Sequence, residues 1–202
     1  MLNKLNYILS FLLFCFVSCT PDSLTEKKLY AFIKDTDNGL FQEIKEDPFT
    51  VSLMYKPSAL VAKQEIEVDM TPKEKEDVYK RYEKYMYFVL NYSYKGQELL
   101  NAFGGNRPKF AELVQTLSFG MKEKINVITD QKKKVPLMDF IHSRHYGMGS
   151  GSMVLLVFKK NEILSQTNKD FIIKLKDIGV GLGNQSFKYD KNEIIQCPTI
   201  KE

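Results

Sequence analysis

The chain has 202 residues, with 29 basic and 25 acidic side chains, a formal charge of +4 and no tryptophan. So mild a balance makes no case for nucleic acid, because Lys and Glu alternate through Lys73-Glu74-Lys75-Glu76 instead of gathering on one face. The length suffices for one domain held by its own core, and three cysteines are too few for a disulfide framework.

The first element is apolar. After a single cation, Lys4, the run Tyr7 to Val17 has signal-peptide length and is too short to cross a bilayer comfortably as a helix. It closes on Phe16-Val17-Ser18-Cys19. The general signal peptidase wants small residues at both −3 and −1, which Phe16 does not provide, whereas a lipobox tolerates a bulky apolar residue there.

These four residues resemble the lipobox of bacterial lipoproteins. The resemblance implies a type II signal peptide over 1–18, cleavage before Cys19, and palmitate-type acylation of Cys19 as a lipid anchor to the membrane. It implies a place in the bacterial cell envelope, at the outer membrane, because Thr20 stands where an Asp often marks inner-membrane retention. Asp22 and Glu26 match a surface-export signal poorly, so the domain is expected to face the periplasm. Cleavage would remove Lys4 and Cys15, lower the formal charge to +3, and leave Cys197 without a disulfide partner. Asn38-Gly39-Leu40 and the stretch Tyr55-Lys56-Pro57-Ser58 through Glu65 also resemble uncharacterised small lipoproteins of Bacteroidetes-type bacteria, a likeness that implies no activity.

Residues 20–29 are polar and non-periodic, so 19–29 reads as a tether and 30–202 as a single domain. Phe41 to Ile44 and the alternating run Phe49 to Tyr55, separated by Glu46-Asp47-Pro48, read as a hairpin. A short helix follows from Ser58, with Ser58 as its cap. Thr71-Pro72-Lys73-Glu74 marks a second helix by cap, first-turn Pro and reciprocating Glu. On it Glu76 with Lys80 and Asp77 with Arg81 stand at ion-pair spacing, and Val78, Tyr82 and Tyr85 form the apolar stripe.

From Tyr87 the period falls to two, which makes a strand, and Phe110, Leu113, Val114 and Leu117 mark a third short helix. Met121 to Thr129 and Leu137 to Tyr146 read as strands. The unbroken run Met153 to Phe158 reads as a central strand covered on both faces, and Phe171 to Leu175 with Ser186 to Tyr189 as a closing hairpin. The expected fold is α+β, mainly antiparallel sheet with two or three short helices, in which Leu155, Val157, Phe158, Phe171 and Ile173 are core. An all-β sandwich is the alternative.

Chemistry is sparse. His142, His145 and Asp139 have the residue types of a zinc site, but on a strand residues three apart face opposite ways. Gly179-Val180-Gly181-Leu182-Gly183 lacks the following helix of a phosphate loop and reads as a hairpin loop. Cys197 reads as a small buried hydrophobe rather than a nucleophile. Acidic pairs such as Glu65 with Glu67 and Glu74 with Glu76 have nothing to place them across a cleft. Lys132-Lys133-Lys134 reads as a solvated turn, with anionic headgroups as the other possibility. Tyr79, Tyr82, Tyr85, Tyr87, Tyr92 and Tyr94 form a cluster, mostly core-facing, that also suits a protein interface.

The expected function is therefore a membrane-anchored envelope lipoprotein whose domain is a non-catalytic protein-binding or assembly module with an envelope protein partner. No cofactor, metal or nucleic acid is expected. A hydrolase or metal-dependent enzyme using His142 and His145 is the alternative.

Overall fold

The computed structural model describes residues 23–143 and 150–201. Strand β1 (Ser23–Leu24) and helix α1 (Glu26–Lys34) open it, followed by the hairpin of β2 (Phe41–Glu46) and β3 (Phe49–Lys56). Helices α2 (Ser58–Ala62) and α3 (Pro72–Glu83) lead to β4 (Tyr85–Tyr94), β5 (Gln97–Glu98) and α4 (Leu99–Ala102). Helix α5 (Arg107–Gln115) continues through a π-helical turn, Thr116–Gly120, into α6 (Met121–Lys124), then β6 (Ile125–Thr129), β7 (Lys134–Pro136) and β8 (Asp139–Ser143). The last elements are β9 (Ser152–Lys159), α7 (Lys160–Leu164), β10 (Asp170–Leu175), β11 (Gln185–Asp190), α8 (Lys191–Ile195) and β12 (Thr199–Ile200).

The fold is α+β with mainly antiparallel sheets. One sheet has the order β2-β3-β4-β9-β8, with β5 on the end of β4, and the other has the order β11-β10-β6-β7. A short parallel pair, β1 with β12, ties the two ends of the described chain together. The inner faces of the two larger sheets meet over an aromatic core: Phe88 lies 5.0 Å from Tyr189 and 6.2 Å from Phe158, and Tyr189 stacks on Phe171 at 5.8 Å. Inward positions alternate with outward ones along every long strand, so Leu53, Leu90, Leu156 and Ile173 are fully buried.

Several local expectations hold. The Thr71 hydroxyl accepts from the Glu74 amide at 3.3 Å while the Glu74 carboxylate accepts from the Thr71 amide at 2.7 Å, which closes the capping box. Glu76 and Lys80 pair at 2.6 Å. The first and last hairpins form with the expected partners.

Other expectations are corrected. The fold takes in residues before Tyr30, because Leu29 and Ile33, one turn apart on α1, are fully buried and draw the described part of the supposed tether into the domain. There are more short helices than two or three, since one or two apolar residues are enough to seat each against the sheets: Ile163 for α7, Ile194 for α8. Ser58 is the first helical residue and caps nothing, Pro57 taking the cap position. Met121 to Lys124 is helical, and the strand starts only at Ile125. Arg81 turns away from Asp77 to Glu65 at 2.6 Å. Phe158, Phe171 and Ile173 are core, but Leu155 and Val157 are only half-buried, because β9 has a core on one face alone.

Candidate functional site

The outer faces of the two sheets differ in character. On the four-stranded sheet the outward positions include Lys174, Ser186, Lys188 and Lys134, the polar alternation expected where one face meets water. On the larger sheet the register lines up Phe41, Met54, Val89, Leu155 and Ile141 across five strands. None of the five is fully buried, and Ile141 is 58 % exposed. An apolar row of this kind on an outward face departs from the ordinary polar alternation.

At one end the row opens into a groove of about 510 Å³ between the sheet and helices α2 and α3. Its walls include Val61, Tyr82, Tyr85, Tyr87, Met138 and Val157. Tyr82 donates to Glu65 at 2.6 Å, and Arg81 donates to the other oxygen of the same carboxylate at 2.6 Å, which fixes the helical wall. These two donors hold the Glu65 carboxyl below its ordinary range, Tyr82 contributing most. Burial, with Tyr82 and Tyr85 nearby, pushes the Tyr87 phenol up to about 12, so it stays neutral. The six tyrosines of the sequence cluster are thus divided: Tyr82, Tyr85 and Tyr87 line the groove, Tyr79 lines a different pocket, and Tyr92 and Tyr94 belong to the inner face of β4.

Asp139 and His142 do not converge. Asp139 lies opposite Val157 on the outer face and pairs with Lys122 at 3.5 Å, while His142 lies opposite the buried Val154 on the inner face. His145 lies outside the described residues, and among those described no group of three potential metal ligands occurs. The glycine-rich loop is not an anion cradle. Its amides at Gly179, Val180 and Gly181 already donate to the Asp177 carboxylate, at 3.0 to 3.2 Å. The acidic pairs are committed elsewhere: Glu65 to Arg81 and Tyr82, Glu74 to its cap, Glu76 to Lys80. Hydrogen bonding holds the carboxyls of Glu65, Glu74 and Glu76 below their usual range, the opposite of what a general acid needs.

A separate pocket of about 330 Å³ lies among α2, α3, α7, α8 and the start of β12. Cys197 is one of its walls, and burial pushes the thiol up to about 12, which leaves it un-ionised and a poor nucleophile. Cys19 and its lipobox lie outside the described residues, and no helix among the described residues is long and apolar enough to cross a membrane. No family model matches the chain, and neither curated proteins nor solved structures contain a match.

The sequence reading missed the row itself. Its members come from five separate strands, and Met54 sits between the polar Ser52 and Lys56 on that face. The one available signal was the unbroken run from Met153 to Phe158, which carries apolar residues to both faces of β9.

Proposed function

We propose that the chain is an outer-membrane lipoprotein, anchored through acylated Cys19, whose domain binds an envelope protein without catalysing a reaction. The observation that supports binding is the row Phe41, Met54, Val89, Leu155 and Ile141 on an outward sheet face. Five strands at roughly 4.8 Å give a row of about 19 Å. So narrow a stripe falls well below the roughly 800 Å² per partner that a stable dimer buries, which argues against a second copy of the chain. It matches the apolar side of one amphipathic helix of the partner, about 13 residues long at 1.5 Å per residue.

A photo-crosslinking residue placed at Ile141, in intact cells, tests this reading. A single adduct whose linked peptide has helical apolar periodicity is expected, lost on Leu155→Glu and absent when the crosslinker sits at Lys174 on the polar sheet. Equal adducts at both positions, or none at Ile141, would overturn the binding module. The anchor is tested independently by mass spectrometry of the membrane fraction, where a mature N-terminus other than lipidated Cys19 would sink it.

A further inference from the structure

The wall of the 330 Å³ pocket sorts by burial. Pro57, Ile194 and Pro198 are buried and Tyr55 is 9 % exposed, so the interior is largely apolar. The polar side chains keep contact with water: Ser58, Tyr79 and Lys160 are half-buried, and Glu83 is exposed. An apolar interior under a charged mouth suits a ligand with a hydrocarbon side chain and a charged head. The volume stands at the small end of the roughly 300–1,000 Å³ range of ligand pockets, which restricts that ligand to a small molecule.

The charges at the mouth are of both signs, and neither is committed. The Lys160 amide donates to the Lys84 carbonyl at 3.1 Å, which sets the first residue of α7 beside the end of α3, where Glu83 stands. Even so, among the described residues neither Glu83 nor Lys160 makes an ion pair or a side-chain hydrogen bond, with the other or with any third group. The neighbouring cations Lys80 and Lys159 are taken by Glu76 and Glu162. Glu83 also closes a 12-residue helix, at the end where the helix dipole disfavours an acid. A cation brought to its carboxylate relieves that mismatch.

We propose that this pocket binds one free amino acid with a large apolar side chain, its ammonium donating to the Glu83 carboxylate and its carboxylate accepting from the Lys160 ammonium, while the side chain lies against Tyr55 and Ile194. A zwitterion meets both charges at once, and a hydrocarbon side chain fills the interior. The pocket shares no wall residue with the apolar row of the larger sheet, so the site stands independently of the protein-binding reading.

Equilibrium dialysis of L-leucine against the full-length chain at pH 7 tests the proposal. Two analogues isolate the charges: leucinamide lacks the carboxylate, and 4-methylpentanoate lacks the ammonium. Saturable uptake of leucine near one equivalent is expected, with each analogue about tenfold weaker and glycine weaker by about tenfold or more, because it buries no side chain. Lys160→Gln should lower leucine to the level of leucinamide and leave leucinamide unchanged. Glu83→Gln should lower leucine to the level of 4-methylpentanoate and leave 4-methylpentanoate unchanged. Both substitutions are conservative changes at the pocket mouth, outside the packed core. Absence of saturable uptake overturns the proposal, as does equal binding of leucine and either analogue. Losses in the two variants that fall equally on all three ligands overturn the assignment of the head groups to Glu83 and Lys160.

Discussion

The Tyr189 hydroxyl donates to the Leu53 carbonyl at 2.8 Å and so bolts strand β11 of one sheet to strand β3 of the other. Both residues are buried, and desolvation holds the phenol well above its ordinary pKa. Tyr189→Phe keeps the ring contacts with Phe88 and Phe171 but removes the donor. A loss of about 1–2 kcal/mol is expected, read as a lower urea midpoint at unchanged slope.

Ile141 and Leu156 come from adjacent strands and face opposite sides of the same sheet. Ile141→Asp should change stability by no more than about 0.5 kcal/mol, because the side chain is 58 % exposed. Leu156→Ala, at a position with no exposure, should cost about 2–5 kcal/mol. Denaturant titration of the two variants checks the orientation of the whole face; a large loss from Ile141→Asp would mean that the face is covered.

With its pKa pushed from 9.0 up to about 12, the Cys197 thiol should react slowly with iodoacetamide. At pH 8 its thiolate population falls by roughly a hundredfold or more relative to an ordinary cysteine. Labelling followed by mass spectrometry should therefore proceed far faster in urea than in buffer. Equal rates would show that the thiol is not held in the pocket wall.

Glu193 has its carboxyl raised by burial first, then by the nearby Asp190 and Asp170. A carboxyl whose folded pKa exceeds its unfolded value of 4.5 favours the fold while protonated. That contribution is complete below pH 4.5 and is lost as pH rises through the folded value. Glu193→Gln, which stays neutral, should match the wild type in melting temperature near pH 4 and exceed it at pH 7. The reverse order at neutral pH would contradict the environment described for this side chain.

Asp177 holds three amides of its own loop, at Gly179, Val180 and Gly181. Asp177→Ala is expected to cost about 1–2 kcal/mol and to speed hydrogen exchange at those amides ahead of the rest of β10 and β11. Unchanged exchange would mean that the glycines hold the loop without the carboxylate.

What the sequence by itself determined is local. The cap at Thr71, the ion pair of Glu76 with Lys80, the period-two alternation from Phe88 to Tyr94 and the two hairpins all depend on residues within a few positions of one another, where side-chain spacing decides the outcome. The same spacing argument on β8 already separated Asp139 from His142. Only the tertiary structure decided the rest. The run from Leu29 to Ile33 is too short to show its period, and only the sheets decide that Leu29 and Ile33 are its buried members and that the polar residues just before it join the fold. Phe41, Met54, Val89, Leu155 and Ile141 become one surface only when five strands fix their register, because contact across a sheet is set by pairing between distant segments and leaves no trace in the spacing along the chain.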